Sequence, residues 1–437
     1  MPGSLSLYLS IFPGILKAGD GKKKITVHAK QKHFDAILDA VQNIRYWHVD
    51  SRVIENTSGA DPVPFERNAN GDIEFVIKTP LEGEYAISIE YQRENRNPQK
   101  MTLFVYALKE DLFRLRPWKG DFHMHSTRSD GSQDPEYVAA TCRKTGFDFM
   151  SLTDHRKYGP SLEARDFMAE FENDMLVVPG EEVHLPDNPV HIVNFGGKSS
   201  INELAYADEE KYRAAVKEYM KDQPSEYDDT VRFAVAASEW IFDRIRDAGG
   251  IGMFCHPYWR PQNHGSIQEG MVELLMEHNR FDVLEVFGGF YEKDAECNML
   301  ALSRWQEERA KGKKIPVAGI SDSHDCDGDL AGWYYTVVLA EKLEFDSLAE
   351  AIRDERSVAV HWIPGHAPIA AGTFRLTKFI YFLLREYYPQ HDALCAVEGD
   401  ILRRYLAGEE PEAKEILKFR KGAVGRFMEQ FWEHEVK

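Results

Sequence analysis

The chain has 437 residues, 43% hydrophobic and 29% charged, which is enough apolar material for two or three compact units. Its formal net charge of −19, from 53 basic and 72 acidic residues, argues against long nucleic acid or an anionic membrane as the main partner. Cys142, Cys255, Cys297, Cys326 and Cys395 are scattered and lack CxxC spacing, and no run approaches about 18 apolar residues, so a cytoplasmic protein without a membrane span is expected.

In chain order, the apolar start from Leu5 to Leu16 lacks a basic leader, contains Pro13 and reads as a strand. Period-two alternation at Ile25–Ala29, Ile73–Ile77, Tyr85–Tyr91 and Met101–Tyr106, punctuated by turn residues such as Asn70-Gly71, predicts a β-sandwich-like domain over 1–115. Phe34 to Ile44 reads as a helix within it. From residue 116 to 365 strands alternate with helices, the pattern of a parallel sheet. Seven strands are expected: Lys119–Met124, Phe147–Leu152, Leu176–Val178, Val190–Phe195, Ile251–Phe254, Val283–Phe287 and Ile315–Ile320. Helices such as Pro135–Thr145 and Met271–His278 connect them. An insertion at 198–249 reads as two helices, Glu209–Lys221 and Val231–Ala248, either a lid or a structural embellishment. Tyr334–Leu339 is a further strand and Ser347–Glu355 a further helix, and 366–437 reads as a helical carboxyl-terminal region.

The chemistry lies in where the histidines fall. Six of the sixteen, His123, His125, His155, His191, His256 and His324, sit in or just after expected strands, accompanied by Asp130, Asp154, Glu182 and Asp322. Parallel α/β barrels gather residues from distant strands at the strands' carboxyl ends. His123 and His125 are two residues apart, so an extended chain points both the same way, and Asp322 with His324 repeats the spacing. Imidazole with carboxylate suits Zn, Mn or Fe.

These segments together resemble the PHP (polymerase and histidinol phosphatase) family of metal-dependent phosphoesterases. His123-Met-His125 followed by Ser129-Asp130-Gly131 resembles its first motif, and Thr153-Asp154-His155 its second. Gly180-Glu181-Glu182 resembles the GxE segment, His191 the histidine after it, His256-Pro257 the third motif, and Ser321 to His324 the fourth. The resemblance covers about 118 to 360 and implies a distorted seven-stranded β/α barrel, which agrees with the strand count. It further implies two or three divalent ions (Zn, Mn or Fe). His123, His125, Glu182 and Asp322 would hold the first, with Glu182 bridging to a second on His191 and His256. Asp130, His155 and His324 would hold the third. Such ions outweigh the carboxylates that bind them, attract phosphate within an acidic protein and activate water for in-line displacement without a protein nucleophile.

Other residues keep two readings. Asp154 is expected to assist proton transfer or to orient a neighbouring histidine, or it is a plain strand-end cap. Arg128, Arg156, Arg260 and His264 lie in loops after ligand positions and could clamp a phosphate, or be solvated loop charges. His184 competes with His191, Glu181 competes with Glu182, and ligation by Glu285 has no support in the motifs. The expected function is hydrolysis of phosphate esters of a small phosphorylated substrate. Alternatives are a metal hydrolase of C–N or other non-phosphate bonds, and a non-catalytic binding protein on the same fold.

Overall fold

The computed structural model describes residues 8–51, 62–261 and 264–434, so Leu5 to Leu7 of the expected first strand lie outside the described residues. Two compact units form. One runs to Leu115 and adds Lys378–Leu394 and the segment from Gly422; the other comprises Arg116–Thr377 and Cys395–Lys421.

The first unit holds two four-stranded sheets. One orders Leu9–Phe12, Gly19–Ala29, Ile73–Thr79 and Phe65–Arg67; the other orders Ile15–Lys17, Gln99–Leu108, Gly83–Tyr91 and Val41–His48. Alternation explains their shared core: Ile73, Phe75 and Ile77 point inward with Ile87, Ile89, Leu103 and Val105, while Val76 and Lys78 face solvent. The helix expected from Phe34 to Ile44 is shorter, Lys32–Asp39, and the chain then turns into a strand. Pairing of Val41–His48 with Gly83–Tyr91 overrides the local helical pattern there.

In the second unit the strands divide between two sheets. The six-stranded sheet orders Leu176–Val177, Phe149–Met150, Arg116–Asp121, Tyr334–Ala340, Ser357–His361 and Ile369–Ala371. The five-stranded sheet orders Gly180–Val183, Ile192–Phe195, Ile251–Phe254, Val283–Phe287 and Val317–Gly319. The unit is mixed α/β as expected, but no closed barrel forms among the described residues, where a distorted seven-stranded β/α barrel was expected. The first two pairings of the five-stranded sheet are antiparallel, and side-chain bonds replace a ladder where the sheets adjoin. There Thr336 Oγ1 donates to Gly319 O at 2.8 Å and Ser357 Oγ donates to Val317 O at 2.7 Å.

The inserted segment forms three helices, Ile201–Ala207, Glu209–Met220 and Asp229–Asp247, started by Ser200, Asp208 and Asp228 side chains that accept from backbone N–H groups. Ala234, Val235, Ile241, Phe242 and Ile245 of the long helix are buried with Phe254, Leu274 and Val286, so this helix is core and not a lid. The helices from Phe374 to Phe431, expected as a region of their own, are shared between the two units. Their apolar faces demand cover: Tyr387, for example, stacks on Phe427 and meets Trp432 edge-on within the first unit. Among the described residues, no helix is long and apolar enough to cross a membrane.

Candidate metal centre

The strand Arg116–Asp121 ends at a buried carboxylate. Asp121 accepts from His123 N at 3.1 Å and from Ser321 N at 3.1 and 3.2 Å. Burial pushes its carboxyl up to about 7 against those bonds. It thereby ties together two segments that continue side by side. His125 N donates to Ser323 O at 2.9 Å and Asp322 N to His123 O at 3.0 Å. His123, His125, Asp322 and His324 are brought to one place by this pairing. Gly131 must come close: its N bonds Ser126 O, and a Cβ there would lie 2.6 Å from the His125 carbonyl.

Glu182 arrives on the strand Gly180–Val183, whose alternation separates it from Glu181. Glu181 accepts from Ser200 Oγ at 2.6 Å and Asn202 Nδ2 at 2.9 Å, anchoring the inserted segment. Glu182 enters the cluster. Its Oε2 lies 2.7 Å from His155 Nδ1, 3.2 Å from His123 Nε2 and 3.6 Å from His125 Nε2. Its Oε1 lies 2.8 Å from His191 Nδ1 and 3.2 Å from His184 Nε2. Asp322 Oδ1 is 2.9 Å from His125 Nε2 and 3.3 Å from His123 Nε2, and its Oδ2 is 3.4 Å from His256 Nε2. Asp130 Oδ2 meets His155 Nε2 at 3.3 Å and His324 Nε2 at 3.4 Å, and its Oδ1 is 3.8 Å from His125 Nδ1.

All the expected ligand positions therefore converge: His123, His125 and Asp322 of the first implied set group together, as do Asp130, His155 and His324 of the third, and the second set is the one that differs. His256 sits with His123 and Glu182, and His125 joins the group of Asp130, His155 and His324. His191 meets the opposite oxygen of Glu182, where His184 stands beside it. A cation fits this set. Both oxygens of buried Glu182, Nδ1 of His123 and of His125, and Nε2 of His256 are buried without a hydrogen bond. Two imidazole nitrogens, His123 Nε2 and His125 Nε2, stand 3.1 Å apart. Buried nitrogen and oxygen atoms left without hydrogen bonds around the facing His123 and His125 Nε2 atoms are what a bound cation would satisfy. Without one, the carboxylates and imidazoles bear on each other. Burial raises Glu182 and Asp322, but His123 with its neighbours outweighs burial and holds both well below the usual carboxylate range. Burial lowers His256 and His155, but Glu285 with Asp322 raises the first to about 10, and Glu182 with Asp130 the second to about 8.

Glu285, readable from the sequence only as a strand residue that could line the pocket, holds His256. It accepts from His256 Nδ1 at 2.8 Å and from His256 N at 3.0 Å. That leaves Nε2 turned toward Asp322 and sets the ring's orientation. The only sequence signal is its place near the end of a strand. Asp154 does not reach the ligand atoms: its carboxylate accepts from Ser126 N, Ser126 Oγ and Ser129 Oγ at 3.0, 2.8 and 2.6 Å, organising the loop after His125.

A cavity of about 980 Å³ opens onto the cluster, lined by His256, Asp322, His324, Trp259, Phe290 and Arg260 among others. Of the four expected phosphate-clamping residues, Arg260 lines it, 3.3 Å from Glu296. Arg128 is turned to Glu163 at 2.9 Å and Asp134 at 3.4 Å; Arg156 and His264 are exposed and do not line the cavity. Loop position alone did not reveal these alternative acidic partners.

No family model matches the chain. Over 96 residues it is 35% identical to the DNA polymerase/3'-5' exonuclease PolX of Bacillus subtilis, a match covering 19% of this chain and 17% of that protein. A two-domain protein from Bacteroides vulgatus containing a predicted PHP-like metal-dependent phosphoesterase is similar over 57% of this chain and 66% of its own, with 21% identity and a TM-score of 0.40. A candidate metal-dependent phosphoesterase from Bifidobacterium adolescentis is similar over 53% of this chain and 94% of its own, with 19% identity and a TM-score of 0.34. With its motifs in order and gathered around Glu182 and Asp322, the chain resembles the PHP family in the residues of its site.

Proposed function

We propose that this chain is a metal-dependent phosphoesterase acting on a small phosphorylated substrate. The observation that carries the reading is the convergence of His123, His125, Asp130, His155, Glu182, His191, His256, Asp322 and His324 beside one open cavity, with buried nitrogen and oxygen atoms left unsatisfied. Those residues would hold two or three divalent ions, of which Zn, Mn and Fe suit the mixed imidazole and carboxylate donors. When bound, such ions attract phosphate, lower the pKa of water and stabilise the oxygens of an in-line displacement.

The chain's own residues supply the rest. Glu285 fixes His256, and Asp154 fixes the loop carrying His125, so donors are in place before substrate arrives. Trp259 and Phe290 wall the cavity next to His256 and shield the reacting side from bulk water. Arg260, which lines the cavity together with Lys293, is placed to meet a phosphate oxygen in exchange for Glu296. No serine or cysteine nucleophile is assigned: Cys255 is buried, and burial with the Glu285 charge pushes its thiol well up.

The test is metal content per chain, followed by a screen of phosphomonoesters, phosphodiesters and carboxamides with the wild type and His123→Ala. Metal-dependent release of phosphate, abolished in the variant, is expected. Amide turnover without phosphoester turnover, or full activity in His123→Ala, would replace this reading.

A further inference from the structure

His184 belongs to none of the motifs, yet it faces the same carboxylate they converge on. It lies two residues beyond Glu182, so the pleat carries both side chains to one face. Its Nε2 is 3.2 Å from Glu182 Oε1 and 3.0 Å from His155 Nδ1, and its ring centroid is 4.3 Å from that of His191. His191 Nδ1 reaches the same Glu182 oxygen at 2.8 Å.

Three imidazole nitrogens crowd the two oxygens of this one buried carboxylate: His155 Nδ1 at 2.7 Å from Oε2, and His191 Nδ1 and His184 Nε2 at 2.8 and 3.2 Å from Oε1. The facing atoms of His155, Glu182 and His184 lie within 4.8 Å of one another, near enough to share one ion. The His184 backbone is held on both sides. Asn202 Oδ1 accepts from His184 N at 3.0 Å and Tyr206 OH donates to His184 O at 3.0 Å. Asn202 Nδ2 also donates to Glu182 O at 3.1 Å, so the first helix of the inserted segment grips the strand end that presents both residues.

We propose that His184 is a metal ligand, a donor beyond those the motifs supply, joining His155, Glu182 and His191 on the Glu182 side of the centre. This rests on the metal-centre reading above. An extra imidazole increases the nitrogen share of that ion's donors and favours Zn, Fe or Co there over Mn or Mg.

The experiment compares wild type, His184→Ala and His184→Gln, each freed of metal and titrated with Zn(II) against a chromophoric chelator. Ion content is counted by elemental mass spectrometry. Loss of a partner that only orients a ligand weakens binding about 10- to 100-fold, so loss of the ligand itself should weaken one ion by about 100-fold or more. Unchanged affinity and ion count in either variant overturn the proposal. Nitrogen-15 spectra of the imidazoles in wild-type protein give a readout that requires no variant to fold. The His184 Nε2 signal should move on Zn(II) addition while Nδ1 stays protonated. A stationary His184 signal while His123 and His256 respond refutes the ligand assignment alone. If no imidazole responds, the metal-centre reading falls and takes this one with it.

Discussion

Replacing Glu182 by glutamine tests the group around which the site is built. The variant keeps the shape and one acceptor oxygen but deletes a fully buried negative charge. That charge faces imidazole nitrogens of His155 at 2.7 Å, His191 at 2.8 Å, and His123 and His184 at 3.2 Å. Removing one partner from a buried charged arrangement costs about 3–5 kcal/mol. At about 1.4 kcal/mol per decade, ion affinity should fall by roughly two to three and a half decades. Chelator competition at fixed pH measures it directly, with ion content after dialysis as a second readout. The metal-free protein carries its own signature. Because burial is outweighed by the imidazoles, the Glu182 carboxyl is held well below its usual range. A depressed carboxyl stabilises the fold above its unfolded pKa, about 4.3, and that contribution is lost as pH falls through the folded value. The denaturation midpoints of wild type and variant should therefore converge below about pH 4. An unchanged ion affinity in Glu182→Gln would refute the reasoning, because among the described residues no other side chain touches as many of the proposed ligands.

Metal loading should release protons. Burial lowers His256 and His155 less than their carboxylate neighbours raise them, to about 10 and about 8, so both are protonated at pH 7 in the metal-free protein. Affinity should climb from pH 7 toward 10, and calorimetry in buffers of different ionisation enthalpy should count the protons; zero release contradicts the placement of these imidazoles. Glu285→Gln removes the charged acceptor of His256 Nδ1 at 2.8 Å and should weaken ion binding about 10- to 100-fold, with a lowered melting temperature of the metal-free protein because the buried His256 loses its charged partner. In Gly288→Ala the added methyl would lie 1.6 Å from Glu285 Oε1, so the carboxylate must move. Urea unfolding should then show a loss of about 1–3 kcal/mol, together with weakened ion binding.

Legibility in the sequence followed the range over which each feature is determined. Ile251–Phe254 and Val283–Phe287 match the expected spans to the residue, because strands buried on both faces are short apolar runs between helices. Gly180–Val183 escaped because it reads Gly-Glu-Glu-Val, with no alternation and Val183 as its one large apolar residue, although it carries the central carboxylate. The division into two sheets was invisible because pairing direction is decided by partners distant in sequence. Ile192–Phe195, for instance, runs antiparallel to both its neighbours. The ligand positions were legible since their chemistry is local and their spacing narrow. Asp121, which holds them, was not, because it bonds the backbone of Ser321 from 200 residues away; Asp154 was named, but its bonds to Ser126, 28 residues away, were not.

Three of the eight left-handed non-glycine positions among the described residues lie at the site. His256 and Asp322 adopt left-handed backbone angles, with φ of 52° and 49°, and Arg156, next to His155, has 60°. For residues with a β-carbon each such position costs about 1–2 kcal/mol, and local sequence preference would place glycine there. Each is held by a bond from elsewhere: His256 N to Glu285, Asp322 N to His123 O and Arg156 N to Glu182 O. The holding groups are themselves members or neighbours of the ligand cluster, so the strained turns and the donors form one mutually dependent set. A glycine at 256 or 322 would relax the backbone and delete a donor at once. The fold tolerates these conformations where imidazole or carboxylate must turn inward, and a site assembled at such expense is best explained by what the inward-facing groups bind.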